Sequence, residues 1–329
     1  MANIRRPRHG SLQFWPRKTA KRPYARIKSW VKSKNVSLLG FPGYKAGMTH
    51  VVLKDTRSSS QTKNESIVWP ATIIECPSIK VFSIRFYKKS AYGFKVVAEI
   101  FNPKVDKELN RKLILNKKQK FEDKLKEISS KLSDFNDLRI NVYTQPKKTS
   151  IGKKKPEVFE LGIGGNSLKE KFDYVMNIFD KEIRVSDVLK AGNKIDVHAV
   201  TKGKGFQGAV KRFGVQLLSH KAEKKRRTNV FGPGVPAKVH WGMIMPGRMG
   251  FNLRTEYNKD VLYLSDKPEQ VNPKGGFLHY GFVKNDFVLV KGSVPGHVKR
   301  LITMTEPIRG TRGFGQHVEV QYISKESKQ

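Results

Sequence analysis

Short runs of β-branched and aromatic residues dominate the first hundred positions. Residues 49–54 (THVVLK), 66–75 (SIVWPATIIE), 80–87 (KVFSIRFY) and 94–101 (FKVVAEIF) suit a pleated, half-buried surface and predict four strands. Phe41-Pro42-Gly43 and Cys76-Pro77-Ser78 supply the breaks between them. The period changes after residue 101. Phe121, Leu125, Ile128 and Leu132 recur at helical spacing with charges between them, and so do Leu168, Phe172, Val175, Met176 and Phe179. Two amphipathic helices with core-facing apolar stripes are therefore expected. Residues 138–143 (LRINVY) read as a strand, followed by a Lys-rich loop over 145–156. Ser186 reads as the N-cap of a short helix that Gly192 ends.

Strand signals return at 194–200 (KIDVHAV), and again at 261–264, 277–283, 287–291 and 300–304. β-material thus flanks both a helical insertion and a later stretch with almost no periodic apolar pattern. Short strands separated by Gly and Pro turns are expected to close into a barrel, which hides sheet edges. No internal repeat is visible.

Composition adds limits. With 329 residues, 38% of them hydrophobic, the chain can bury one large core or two smaller ones. Cys76 is the only cysteine, so no internal disulfide or cysteine-based zinc cluster is possible, and an intracellular setting is expected. No run of 18 apolar residues offers a membrane span. The basic residues 1–9 are not followed by an apolar stretch of signal-peptide type.

Charge changes the picture most. There are 65 Lys and Arg against 28 Asp and Glu, a formal net charge of +37. Such a density of one sign is tolerated best against a polyanion. It is also unevenly placed. Residues 1–34 contain no acid and carry Arg5, Arg6, Arg8, Arg17, Lys18, Lys21 and Arg22, with Phe14, Trp15, Tyr24 and Trp30 interleaved. Residues 201–254 have Glu223 as their one acid, while 101–200 mix both signs like an ordinary solvated surface. The two acid-poor segments read as arms laid against phosphates, with aromatics available to stack on unpaired bases.

Residues 200–210 (VTKGKGFQGAV) spell GxGxxG after a predicted strand. A dinucleotide site would need a following helix and an acid roughly 20 residues on. Glu223 stands at that distance but inside a Lys/Arg run, not at a strand end. A better account uses the lysines too. Gly203, Gly205 and Gly208 let the main chain approach a phosphate backbone, while Lys202, Lys204, Lys211 and Arg212 neutralise it and Phe206 packs or stacks. Beyond lie Lys221, Lys224, Lys225, Arg226, Arg227, Lys238, Trp241, Arg248 and Arg254, with a turn at Gly232, Pro233, Gly234 and Val235 as the tip of a long excursion. For catalysis the sequence offers little. The eight His are scattered, His279 and His297 have no acidic or metal-ligand partner in spacing, and no catalytic residue, metal or cofactor is expected.

These residues also carry a family resemblance. PRHGSLQFWPRKTAKR (7–22), LLGFPGYKAGMTHVVLKD (38–55), IGKKKPEVFELGIGG (151–165), VTKGKGFQGAVKRFGV (200–215), GFNLRTEYNK (250–259) and NPKGGFLHYGFVKNDFVLVKGSVPG (272–296) resemble the ribosomal protein L-three family in its short, archaeal form. The likeness runs nearly end to end. It implies a β-rich α+β fold: a translation-protein-type closed β-barrel (36–100, 194–206 and 255–329), an α/β insertion (101–193), and long basic extensions, an N-terminal arm (1–35) and a loop penetrating RNA (207–254). It further implies a non-catalytic cytoplasmic component of the large ribosomal subunit. Its partners would be large-subunit rRNA, around the 3′ domain, and neighbouring ribosomal proteins, with no membrane or small-molecule substrate. The role would be in early assembly, with the extension directed towards the peptidyl-transferase centre. Two positions depart from the family: Gly234 stands where relatives commonly have a tip Trp, and Ala222 where eukaryotic relatives have a modified His, with His220 nearby.

Overall fold

A computed structural model describes residues 10–57, 60–114, 121–217, 221, 238, 240–310 and 319–326. In chain order the elements are β1 (Gly40–Lys54), β2 (Ser66–Glu75), β3 (Ile79–Ser90), β4 (Gly93–Phe101), α1 (Phe121–Ser130), β5 (Asp137–Thr144) and β6 (Val158–Gly162). Then come α2 (Leu168–Ile178), β7 (Glu182–Ile183), β8 (Lys194–Val200), β9 (Phe206–Gln207), α3 (Ala209–Phe213) and β10 (Gly247–Arg248). The chain ends with β11 (Leu253–Ser265), β12 (Phe287–Lys291), β13 (Leu301–Thr305) and β14 (Glu319–Ile323). Two compact units result, one formed by Met1–Pro23 with Val200–Arg254, the other by Tyr24–Ala199 with Thr255–Gln329.

The second unit holds two sheets, and with few helices the fold is β-rich α+β. The larger sheet runs β13-β8-β11-β12-β2-β1-β14, and β13 also pairs with β1, so the hydrogen-bonded order returns to an earlier strand. The ring is uneven. The β1–β2 ladder covers residues 44–54, whereas β13 meets β8 only over 303–305 and 196–198. Close crossing is possible because β1 carries glycine at its tightest point: a Cβ on Gly43 would lie 2.4 Å from the Ile74 side chain. Phe41, Ile73, Ile74, Val288, Leu289, Ile302 and Met304 are fully buried, as the apolar runs of these strands require.

The smaller sheet runs β4-β3-β5-β6 with β7 on β3, and α1 and α2 pack on β4 and β5. Residues 79–100, grouped with the barrel on sequence, lie in this sheet instead: β3 pairs with β4 on one side and, over 79–87, with 137–144 on the other. Period and propensity mark a strand but not its partner. Phe86 centres this core, with Phe135 at 5.1 Å and Phe172 at 6.2 Å between ring centroids.

Some expectations fail locally. The second helix matches its stripe, but the first ends at Ser130 and Leu132 sits in a following 3-10 turn. Ser186 is no N-cap: it lies inside a 3-10 turn, Val185–Asp187, whose N-cap is Arg184, the backbone N–H of which donates to the Asp187 carboxylate at 3.0 Å. Residues 277–283 are no strand. Gly276, His279 and Gly281 take positive φ, and Phe277 makes only an isolated bridge to Gly281. The turn is closed by the Tyr280 and Gly281 N–H groups on the Phe277 carbonyl (3.0 and 2.9 Å), and its far end is anchored on Glu75, fully buried at the end of β2. One of its carboxylate oxygens accepts from the backbone N–H of Lys284 (2.8 Å) and Asn285 (3.0 Å) and from the Asn285 side chain (2.7 Å), and the other accepts from the Tyr280 hydroxyl. A buried carboxylate needs such partners, and satisfying them holds the end of this segment against β2.

One buried group sets a pH response. His198 on β8 contacts the Thr255 hydroxyl through Nδ1 (2.9 Å) and the Thr305 hydroxyl through Nε2 (3.1 Å). Burial lowers its pKa, against a smaller opposing effect of Asp196. The folded imidazole is thus harder to protonate than the unfolded one. The resulting stability is fully present above the ordinary imidazole value near ~6.5 and is lost as pH falls through the lower folded value. His198→Gln should flatten that part of the stability profile. Denaturant midpoints across pH ~5 to ~8 would show it, and an unchanged acid slope would rule it out.

Candidate nucleic-acid interface

The unit built from residues 1–23 and 200–254 has Glu223 as its only acid. Its frame is a backbone ribbon. The Thr201 N–H donates to Asn252 (2.9 Å), Lys204 to Met249 (2.9 Å) and Met249 back to Gly205 (2.9 Å), and β9 then pairs with β10. Gly250, at φ +76°, is required here, because a Cβ would lie 2.0 Å from the Lys202 carbonyl oxygen. Helix α3 follows and stops at Gly214 in the left-handed region, φ 69°. The N-terminal arm lies on this ribbon, with the Ala20 N–H donating to the Phe251 carbonyl (2.8 Å) and the Asn252 side chain to the Lys18 carbonyl (2.8 Å).

Three of the expected RNA-contacting arginines are engaged inside the unit. The Arg17 guanidinium lies over the Phe213 ring at 4.2 Å and donates to the Arg212 carbonyl at 3.0 Å. Arg212 donates to the Met245 carbonyl at 2.8 Å. Arg254 lies over Phe14 at 4.5 Å, and burial draws its pKa below the ordinary value. Planar guanidinium groups stack well on rings, so these side chains position the arm and ribbon. Phe213, Phe251 and Met245 complete the arrangement. Their role was not legible in the sequence, since the arm and α3 are far apart in the chain.

The remaining described candidates are exposed: Lys18, Lys21, Arg22, Lys202, Lys204, Lys211, Lys221, Lys238 and Arg248. Phe206 is 72% and Trp241 64% exposed. Arg5, Arg6, Arg8, Lys224, Lys225, Arg226, Arg227 and the tip residues Gly232, Pro233, Gly234 and Val235 lie outside the described residues. Tyr24 and Trp30, read as arm aromatics, are packing residues of the other unit. Tyr24 is buried beside Phe159 (6.3 Å), and Trp30 lies flat against Gly162, where a Cβ would come within 2.6 Å of its ring.

The GxGxxG glycines separate in the same way. Gly205 needs its positive φ of 67°, but Gly208 has φ −67° and open space where a Cβ would go. The fold of the chain itself does not demand glycine at 208. A short helix does follow the glycines, but α3 has only five residues and β8 pairs antiparallel with β13, unlike the parallel βαβ unit of a dinucleotide site. Among the described residues no group of three His, Cys, Asp or Glu could hold a metal ion, and no helix is long and apolar enough to cross a membrane.

Comparison with known proteins gives a consistent result. The family model described as Ribosomal protein L3 matches residues 1–329. The chain is 47% identical over 328 residues to the large ribosomal subunit protein uL3 of Archaeoglobus fulgidus, covering 98% of each chain. It is 45% identical over 327 residues to that of Methanococcus vannielii, again covering 98% of each, and 43% identical over 335 residues to that of Methanosphaera stadtmanae, covering 100% of this chain and 99% of the relative.

Proposed function

Because the chain belongs to the ribosomal protein L3 family, we propose that it binds large-subunit rRNA through the unit formed by residues 1–23 and 200–254. As a family member it is a structural component of the large ribosomal subunit, cytoplasmic and not an enzyme. The observation that carries the rRNA reading is that unit's charge: exposed lysines and arginines on a folded ribbon with Glu223 as its one acid. Cations so placed gain affinity by releasing counterions from phosphates. On this reading the rRNA-binding arm, expected over residues 1–35, is residues 1–23, since Tyr24 and Trp30 pack in the other unit. Residues 207–254 form an extension entering rRNA of the 3′ domain towards the peptidyl-transferase centre, and the chain acts early in subunit assembly. The cycle of strands β1-β2-β12-β11-β8-β13 is read as a translation-protein-type closed barrel, with the helix-bearing sheet as its α/β insertion. Neighbouring ribosomal proteins are the other partners.

Co-sedimentation tests this. The chain should travel with the large subunit at near one copy each through a high-salt wash. Release as free protein would favour a general nucleic-acid binder instead. A second expectation follows from Gly208. Gly208→Ala should change the stability of the free protein by less than about 1 kcal/mol, because the lower chain entropy of Ala is offset by the loss of glycine at the N-cap of α3, yet weaken rRNA binding several-fold, because the added methyl group meets an approaching phosphate backbone. Filter binding beside a thermal melt decides it, and unchanged affinity would remove the close-approach role.

A further inference from the structure

The aromatic rings of the basic unit are not used alike. Phe213 is buried, and Trp15 stacks on it at 5.4 Å and 17°. Trp241 sets its plane against Trp15 at 6.4 Å and 77°, and His240 tilts against it at 5.7 Å. The turn carrying Trp241 is fixed as well. The Met243 N–H donates to the His240 carbonyl at 3.0 Å, and the Gly242 N–H to His240 Nδ1 at 3.2 Å. Trp241 is therefore held in place while remaining 64% exposed. The other tryptophans differ: Trp30 and Trp69 pack partly buried against the core of the other unit.

A fixed, exposed indole offers a flat apolar face whose ordering cost is already met, so a flat partner gains most from it. The setting selects that partner. The unit has one acid, and exposed Lys238 and Arg248 flank Trp241 in the chain. A polyanion that also presents flat faces fits both features. Bases inside a duplex already stack on each other, whereas unpaired bases have free faces. We propose that Trp241 is a stacking site for an unpaired nucleobase, with basic side chains of the same unit neutralising the adjoining phosphates. This rests on the rRNA-binding reading above and adds what part of the RNA is held.

The test uses the full chain with two probes, an oligoadenylate of about twelve nucleotides and a blunt RNA duplex carrying the same number of phosphates. Trp241→Leu should weaken the single strand about tenfold, leave duplex affinity within about twofold, and abolish the part of the fluorescence quenching that the single strand induces. Trp241→Phe, which keeps a ring, should retain most of the affinity, and thermal melting of both variants shows that the fold is kept. Equal weakening of both probes, or of neither, would overturn the stacking site while leaving rRNA binding intact. If the wild-type chain bound neither probe at low salt, the rRNA reading itself would fall, and the stacking site with it. A Trp241→Leu chain that lost association with a purified ribosomal protein but not with the single strand would mark Trp241 as a protein contact and overturn the proposal.

Discussion

Raising the salt from ~50 to ~200 mM should cut the affinity of the full chain for an rRNA fragment by roughly a thousandfold or more. The expectation comes from the number of exposed cations in the acid-poor unit. If about ten of them each displace a counterion, the log–log slope is near nine. The structure sharpens which ones count. Lys202, Lys204 and Lys211 are exposed, whereas Arg17, Arg212 and Arg254 are spent on rings and carbonyl oxygens of the same unit. Replacing Lys202 and Lys204 together with Ala should lower the slope by about two without moving the melting temperature. Arg17→Ala should instead loosen the arm, since it removes a cation–π contact and a hydrogen bond at once. Filter binding over a salt series gives the slope directly, and a wild-type value of one or two would mean that few cations reach phosphates.

Phe172→Ala should cost about 3–5 kcal/mol of folding stability. Phe172 is buried on α2 and faces Phe86 in the centre of the smaller sheet's core. Removing it leaves a cavity walled by strands that cannot collapse easily. Phe121, on the equivalent stripe of α1, is only partly buried, stacked on Phe179 at 5.6 Å. Its replacement by Ala should cost less, about 1–2 kcal/mol. Urea melts of the two variants would rank them, and a larger loss from Phe121→Ala would contradict this account of the core.

The sequence made some of this legible and hid the rest for physical reasons. The β2 range and the stripe of α2 were readable because local propensity and burial agree there. Strand β6 (VFELG) was missed because five residues between a Lys-rich loop and two glycines give no usable period, and β14 is equally short. Residues 277–283 misled in the other direction. Their apolar content suits a strand, but they form a turn closed on the Phe277 carbonyl and anchored on Glu75, 205 positions from Tyr280. Sheet membership was hidden because pairing is a property of two segments, and only one is seen at a time. At the candidate interface, charge showed which segments carry the cations. It could not show that Arg17 would serve Phe213 and the Arg212 carbonyl, 195 positions away.

The strand order has a consequence for how the chain is made. A polypeptide emerges from its N-terminus, and elements can pair only once both have been synthesised. The smaller sheet draws all its strands from residues 79–183, so its partners are all present early. The larger sheet does not share this advantage. One side of β1 is matched at once by β2, but its other side waits for β13 and β14, from residues 301–323. Until then β1 carries a row of unpaired N–H and C=O groups, a template for pairing with other chains. A nascent chain stalled before residue 301 would hold a finished helix-bearing sheet beside a strand with an open edge. The larger sheet can first complete its pairing only after residues 301–323 have been made, long after the smaller sheet has all its strands.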